Sequence, residues 1–449
     1  MRIVYKNGEE CPKGYVVHLV AKDVEEYGTD VATLGRKEPR DFYDDRPYWV
    51  RCLQVLAERR RAHKNVVLYL HGKFMEDTMY TRNVLRLILQ QMGVACYTSD
   101  TKECLHVTVF TENVHKPWIH ACVEETLFVI EAQLLAMLPA NVATPKHLQQ
   151  LFCKLFRKIP GIKIRVLNSK QLKKKEFGLI TAVGQGAQSP PYMVMVERPG
   201  REDGKTIALV GKGVTFDSGG MALKPRQSLM SMKYDKIGAV YAAYATYQLM
   251  HDPSLKQHTL CGVFPLAENA ISEKAVHSGD VVKSFLGKTV EITDPDAEGR
   301  LLLADAFGWL HSYKPDVILD IATLTGHAET IHCDHSGYFY ASLDGWKREI
   351  ERASFTLGER MIAMPTWTSG YSQLLKSPVA DLANVPHKKP CSSSSFVATM
   401  FLKEFIPEDC DWLHIDLSHE MDDGLIPVGH GIRTLIHATH SWLRAKHKK

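Results

Sequence analysis

Short, nearly continuous apolar runs are spread along this chain, and between them apolar residues recur with a helical period. Asn65-Val66-Val67-Leu68-Tyr69-Leu70 predicts a buried strand, Thr81 to Met92 an amphipathic helix, and Val123 to Leu138 a further helix. Pro139-Ala140-Asn141 punctuates the pattern. Thr144-Pro145 then offers an N-cap followed by a helix-opening proline, so Lys146 to Lys158 is expected to be helical. This places a domain boundary: residues 1–137 as a smaller N-terminal α/β domain, 138–144 as a linker, and 145–449 as a larger second domain.

The second part is richer in sharply bounded strands. Ile207 to Val210 runs into Gly211-Lys212-Gly213, and Thr259 to Phe264 is expected to end at Pro265. Val317 to Ile321 precedes Thr323-Leu324-Thr325-Gly326, and Trp412 to Leu417 forms a fourth strand. Helical patterns over Lys236 to Met250, Glu298 to Tyr313 and Phe396 to Phe405 alternate with them. Apolar strands alternating with helices predict an α/β sheet covered on both faces. In such sheets ligands gather beyond the carboxyl ends of the strands. No solenoid repeat or low-complexity tract interrupts the pattern.

Composition narrows the classes. The 449 residues are 45% hydrophobic and 24% charged, and 55 basic against 51 acidic residues leave a net charge of +4. That balance argues against a dedicated nucleic-acid binder and against disorder, and the length can bury a large core without staples. Leu127 to Leu138, the most apolar stretch, is interrupted by Glu131 and too short to span a membrane. Met1-Arg2-Ile3-Val4-Tyr5-Lys6 lacks the apolar core of a secretory leader. The ten cysteines never form a C-x-x-C pair and are expected to be reduced, buried small hydrophobes, so a cytoplasmic location is expected.

Two segments concentrate chemistry. Gly211-Lys212-Gly213-Val214-Thr215-Phe216-Asp217-Ser218-Gly219-Gly220 leaves a strand but lacks the Gly-Lys-Ser/Thr ending of a phosphate loop, so it reads as a loop presenting Lys212 and Asp217, with Lys224 following. Asp235 opens a helix. Thr293-Asp294-Pro295-Asp296-Ala297-Glu298-Gly299-Arg300 sets three carboxylates and an arginine before another helix. Acids complementing a helix dipole would explain one or two of these carboxylates but not the arginine beside them. The chemical reading is a dinuclear metal site. Asp217, Asp235, Asp296 and Glu298 carry enough charge to balance two dications, which could share an activated water and polarise a carbonyl. A lysine among metals can serve as a neutral amine, its pKa depressed by the cations. With no H-E-x-x-H, a mononuclear protease of that type is disfavoured.

The stretches Val210 to Lys224, Asp296-Ala297-Glu298-Gly299-Arg300-Leu301 and Ala322-Thr323-Leu324-Thr325-Gly326 resemble the leucyl aminopeptidase (cytosol aminopeptidase) family of two-metal exopeptidases. Glu268-Asn269, Gly279-Asp280-Val281 and Arg433-Thr434-Leu435 fit it too. The resemblance covers roughly residues 145–440 and implies a catalytic α/β domain with a central mixed sheet covered by helices. It implies that Lys212, Asp217, Asp235 and Glu298 hold the tighter metal, and Asp217, Asp296 and Glu298 the more exchangeable one. Zinc is implied, with manganese or magnesium as alternatives at the exchangeable site. Lys224 would polarise the scissile carbonyl, and Arg300 would hold a bicarbonate that shuttles the proton from the water. The substrate's free amine would meet a metal and Asp235. Met232, Thr323, Leu324, Gly326, Ser418 and Met421 would line the side-chain pocket. The expected partners are peptides with a free N-terminus and further copies of the chain in a homohexamer, with no nucleic acid or membrane.

The chain departs from that family in two places. The family's Asn-Thr before Asp-Ala-Glu-Gly-Arg is here Asp294-Pro295, which removes a backbone donor and adds a carboxylate. Either the swap is locally tolerated or metal preference at the exchangeable site is altered. The family's Ile-Ala-Gly after the late strand is here Leu417-Ser418-His419, followed by Glu420, a more polar wall expected to weaken leucine preference. His327, His332, Cys333 and His335 form a cluster the family lacks; a short loop that happens to be rich in histidine, or a paired strand splaying them apart, is a plainer reading than a third metal site. Val183-Gly184-Gln185-Gly186 is too little for a dinucleotide loop, and the short basic runs at 59–61, 173–175 and 446–449 read as solvated faces. Ser392 to Ser395 is expected to cap the helix that follows. Rival functions are a catalytically silent assembly of this shape, acting as scaffold or regulator, and a two-metal phosphatase.

Overall fold

A computed structural model describes residues 2–8, 15–20, 24–27, 31–35, 48–49, 52, 65–70, 72–97, 106–112, 116–326, 337–365, 372–387, 394–417 and 427–446. The chain divides into two compact units, Met1–Leu134 with Thr356–Gly358, and Leu135–Phe355 with Glu359–Lys449.

The first unit carries β1 (Arg2–Gly8), β2 (Tyr15–Val20), β3 (Val24–Tyr27), β4 (Val31–Gly35), β5 (Asn65–Leu70) and β6 (His106–Glu112) in one sheet of order β1-β6-β5-β2-β4-β3. All neighbours are parallel except β3 against β4. The apolar run over β5 fits its inner place: Val66, Val67, Leu68 and Leu70 are all buried. Helix α1 (Met79–Tyr97) adds Val84, Leu85, Ile88, Leu89 and Met92 to the same core. Helix α2 (Pro117–Met137) starts at Pro117 rather than Val123, because a proline at the first position needs no donor there. Trp118, Ile119 and Cys122 extend its apolar face.

In the second unit Thr144 caps α3 (Pro145–Phe156), its hydroxyl accepting the His147 N–H at 3.3 Å. There follow β7 (Lys163–Asn168), α4 (Ser169–Lys174), α5 (Gly178–Gly184), β8 (Tyr192–Arg198), β9 (Thr206–Gly211), β10 (Gly213–Asp217), α6 (Arg226–Leu229), α7 (Ile237–His251) and β11 (Thr259–Asn269). Next come β12 (Asp280–Lys283), β13 (Thr289–Ile292), α8 (Gly299–Leu310), β14 (Val317–Ala322), β15 (Gly337–Ala341), α9 (Asp344–Thr356) and β16 (Met361–Ala363). The last are β17 (Leu382–Ala383), α10 (Ser394–Lys403), β18 (Asp411–Asp416) and α11 (Ile432–Lys446).

The large sheet has the order β16-β15-β18-β14-β9-β11-β8-β7, with β10 added against β11; β12, β13 and β17 form a small separate sheet. Its centre, β18-β14-β9-β11, is parallel, and β15 and β8 flank it antiparallel. The expected mixed sheet under helices is therefore the fold. Ala208 and Val210 of β9 pack with Leu301 to Ala304 and Phe307 of α8 in one core, while Ile207 and Leu209, on the other face by strand alternation, are buried as well. Helix α7 is buried nearly all round, as its Ala-rich apolar sequence requires.

Two expectations are corrected. Pro265 does not end its strand, which runs on to Asn269. On one side β9 pairs with β11 only as far as Val263, and β10 takes over from Leu266, so the proline's missing donor falls at the handover. Likewise, residues 213–217 are strand rather than loop, because β11 extends past the end of β9 and leaves an edge for them to pair with.

Buried polar groups fasten the helices. Glu359, fully buried, accepts the N–H groups of Gly431 and Thr434, each at 2.9 Å, and the Thr434 hydroxyl at 2.8 Å, so an anion sits at the N-terminus of α11. Arg433 pairs with its other oxygen at 3.0 Å. Cys52, Cys122, Cys153, Cys261 and Cys410 are buried, and among the described residues no helix is long and apolar enough to cross a membrane.

Asp305 on α8 is fully buried and accepts the N–H of Phe285 at 2.8 Å and of Ile180 at 3.0 Å, one on each oxygen. Burial pushes its carboxyl up to about 7, against the pull of backbone donors on Phe285, Ile180 and Leu179. Because the folded value lies above the ordinary 3.8, the stability this group lends is complete below that pH and is lost as the pH climbs through about 7. Asp305→Asn would face one N–H with an amide N–H, at a cost of about 1–3 kcal/mol. Urea denaturation should show that deficit largest near pH 4 and shrinking towards neutrality; a pH-independent difference would contradict it.

Candidate metal centre

The candidate residues meet where the central strands end. Lys212 occupies the break between β9 and β10. Its backbone turns away from β11, donating to the Ile321 carbonyl at 3.1 Å and accepting the Ala239 N–H at 2.7 Å. The side chain is thereby aimed across the sheet's carboxyl end. Its ammonium lies 2.8 Å from Asp235 Oδ1, 3.0 Å from Glu298 Oε1 and 2.7 Å from the Thr323 carbonyl.

Asp217 ends β10. Its Oδ1 accepts the Gly219 N–H at 2.9 Å and Asn269 Nδ2 at 2.7 Å, and its Oδ2 lies 2.8 Å from the Lys224 ammonium. Lys224 also pairs with Asp296 Oδ1 at 2.6 Å, tying two acidic segments together. Only glycine serves at 219: φ is +84°, and a Cβ would stand 2.9 Å from Asp296 Oδ1. Asp235 follows the 3-10 turn Met232–Tyr234, and its Oδ1 accepts the Thr323 hydroxyl at 2.7 Å. Its Oδ2 is buried without a partner. Asp296 and Glu298 lie in the turn that leads into α8. There Asp294 turns its carboxylate onto the Asp296 N–H at 3.0 Å, while Asn269 Nδ2 reaches the Pro295 carbonyl at 3.1 Å. Arg300 is buried, with Nη1 donating to the Asn384 carbonyl at 2.7 Å and Nε left without a partner.

Oxygens of the buried Asp217, Asp235 and Glu298 all fall within 4.8 Å of one another. Burial raises each of these carboxyls above its ordinary range; their neighbours' negative charge adds to this and the lysines oppose it. Asp296 is pushed up to about 7 by burial and then by Asp217. For Lys212 and Lys224 burial works against the charge, but the surrounding carboxylates outweigh it and both are raised. Burial brings Arg300 down to about 10 against the opposing pull of Glu298, Asp294 and Asp416. Hard, convergent oxygen donors and the orphan Asp235 Oδ2 fit divalent cations.

The structure thus brings together Lys212, Asp217, Lys224, Asp235, Asp296, Glu298 and Thr323 through direct contacts. Met232 is half-buried one turn before Asp235, Leu324 is half-buried, and Gly326 is exposed at the end of its loop. Ser418 and Met421, like His419, Glu420 and the cluster His327, His332, Cys333 and His335, lie outside the described residues. Two supporting residues had no role assigned from sequence. Asn269, in a pair that fitted the family, bridges Asp217 and Pro295. Asp416, at the end of β18, accepts the N–H groups of Leu324 and Thr325 at 3.0 and 3.3 Å and the Thr325 hydroxyl at 2.8 Å, pinning the loop that carries Thr323. Nothing local in the sequence marks Asp416, since its partners lie some 90 positions away.

A parallel-centred sheet thus carries a carboxylate–lysine cluster at its carboxyl ends, a donor set that could hold metal. Residues 131–436 match the catalytic domain of the cytosol aminopeptidase family, and the chain belongs to that family. It is 36% identical over 308 residues to a probable cytosol aminopeptidase of Syntrophotalea carbinolica, covering 66% of this chain and 60% of that protein. Against the Legionella pneumophila protein so described, identity is 37% over 287 residues, covering 63% and 58%. The one from Protochlamydia amoebophila is 36% identical over 281 residues, covering 62% and 55%. The chain therefore matches less than two thirds of the length of these curated relatives.

Gly299 is a sharp test of the centre's crowding. A Cβ there would lie 2.5 to 2.7 Å from Cε, Cδ and Nζ of Lys212, whose ammonium is held by three partners. Glycine to alanine inside a helix ordinarily stabilises by about 0.5–1 kcal/mol. Gly299→Ala should instead lower the thermal midpoint; a variant as stable as the parent would show that Lys212 has room to move.

Proposed function

We propose that this chain is a metal-dependent aminopeptidase that removes single residues from the N-termini of peptides. What carries the reading is the convergence of Asp217, Asp235 and Glu298, with Lys212 and Lys224 set among them, in a chain of the cytosol aminopeptidase family. Lys212, Asp217, Asp235 and Glu298 would hold one divalent cation, and Asp217, Asp296 and Glu298 the other: zinc, with manganese or magnesium at the second position. Two such ions supply an activated water and a Lewis acid for the scissile carbonyl.

The chain's own groups supply the rest. Lys212 is balanced here by Asp235 and Glu298; cations among those carboxylates would take over that charge and favour the neutral amine. Lys224 stands between Asp217 and Asp296, where its ammonium can stabilise negative charge as it develops on the carbonyl oxygen. The unpartnered Asp235 Oδ2 can receive the substrate's free amine, which would restrict cleavage to the first peptide bond. Arg300, with Nε free, can hold a small anion such as bicarbonate that moves the water's proton. Met232, Thr323, Leu324, Gly326, Ser418 and Met421 would form the side-chain pocket, with Ser418, His419 and Glu420 making it more polar. A cytoplasmic homohexamer acting on peptides, with no nucleic-acid or membrane partner, completes the proposal.

Aminoacyl amidomethylcoumarins, assayed after loading with zinc, manganese or cobalt, test it. The parent should release coumarin, Glu298→Ala should not, and Lys224→Met should lose about 10²–10³ in kcat, as when an oxyanion donor is removed. Silence with every metal and side chain, despite bound metal, would favour the silent assembly, and cleavage of a phosphoester instead would favour the phosphatase. In the same panel leucine should not stand far above polar and smaller residues. A wide leucine margin would refute the polar-pocket reading.

A further inference from the structure

We propose that Asn384 is a positioning residue for the metal centre: its amide fixes the 293–297 turn and so sets where Asp296 stands. This rests on the metal reading above. Asn384 follows β17 directly, is fully buried, and is fastened to β13 by its own N–H, which donates to the Glu291 carbonyl at 2.9 Å. Both ends of the side chain then go to one turn. Oδ1 accepts the Thr293 N–H at 2.9 Å and the Asp294 N–H at 3.2 Å, and shares the Thr293 hydroxyl, at 3.0 Å, with the Val385 carbonyl at 2.7 Å. Nδ2 donates to the Asp294 carbonyl at 2.7 Å and the Ala297 carbonyl at 3.5 Å. Every donor and acceptor of the amide is used within five consecutive residues that include Asp296.

Within the turn the Ala297 N–H reaches the Asp294 carbonyl at 3.1 Å and the Asp296 N–H the Asp294 carboxylate at 3.0 Å, and Asn384 adds a hold from outside. Pro295 in its middle has no N–H, so the segment between the sheet and α8 cannot be closed by a bond from that position. Asn384 grips it before and after the proline, while Asn269 Nδ2 takes the Pro295 carbonyl at 3.1 Å. The Asn384 carbonyl also receives Arg300 Nη1 at 2.7 Å, so one residue sets both the ligand turn and the guanidinium beside it. An aspartate of the same shape would keep the acceptor but turn an anionic oxygen towards the Asp294 and Ala297 carbonyls, forcing the turn open.

The test is zinc binding to the metal-stripped chain, read by calorimetric titration and by elemental analysis after dialysis, with no substrate present. The parent should bind two zinc ions. In Asn384→Asp the weaker-bound ion should lose about 10- to 100-fold in affinity, the usual cost of disturbing a partner that orients a ligand, while the tighter one is held. Thr293→Val, which removes the hydroxyl shared between Oδ1 and the Val385 carbonyl, should move the same ion in the same direction by less, and it decides the matter if Asn384→Asp does not fold. Asp305→Asn, a buried change elsewhere on α8, should lower stability and leave the zinc titration unmoved. A folded Asn384→Asp that titrates like the parent overturns the inference, as does Asp305→Asn weakening zinc equally. A parent that binds no zinc removes the metal reading and this inference with it.

Discussion

Asp217, Asp235 and Glu298 are only 2 to 6% exposed, with oxygens within 4.8 Å of one another, and like charges taken that far from water cost several kcal/mol each unless they are opposed. The two lysines are the opposition. Lys212 answers Asp235 and Glu298, and Lys224 answers Asp217 and Asp296. The rest of the unit's architecture can be read as keeping those six side chains in register. The strand break at 212 aims one lysine inwards, and glycine at 219 and 299 leaves room for the packed groups. Removing either cation would strand carboxylates in a medium that cannot solvate them.

That electrostatic demand is met by topology. Lys212, Asp217, Asn269, Thr323 and Asp416 all stand at or just beyond the carboxyl ends of neighbouring strands, so a sheet whose centre is parallel delivers them to one place. Asp296, Glu298 and Arg300 come from a turn and the helix it opens, Asp235 from a 3-10 turn, and Lys224 from the loop after β10. The loop after β14 is held from two sides, by Lys212 and Asp235 at Thr323 and by Asp416 at Leu324 and Thr325. Polar groups that could have been solvated elsewhere become parts of a rigid frame.

How much of this the sequence disclosed follows from the distance over which each residue acts. Asp296, Glu298 and Arg300 stand together because a single turn must present two carboxylates and a cation, and such a string is visible to the eye. Lys212, Asp217 and Lys224 are similarly close in sequence. The inner strands were readable because parallel strands buried on both faces leave continuous apolar runs. Pro265 misled, since a proline's missing donor matters only if a partner is waiting for it, and here the partner strands change over at that point. Asn384 and Asp416 were invisible because they work on segments roughly 90 residues away, and no local pattern encodes the meeting.

The placement of β18 has a kinetic side. It is the last of the described strands, yet it lies between β14 and β15 rather than at an edge, with Asp320 and His414 paired across it at 2.7 Å in full burial. During synthesis the slot beside β14 stays open, an unpaired apolar edge, until residues 411–416 have emerged. Non-local parallel pairing of this kind is slow and exposes hydrophobic surface in the meantime. The strand that delivers Asp416 to the centre is thus also the one that closes the β14 side of the sheet, so a nascent chain cannot assemble the site before it has hidden that edge.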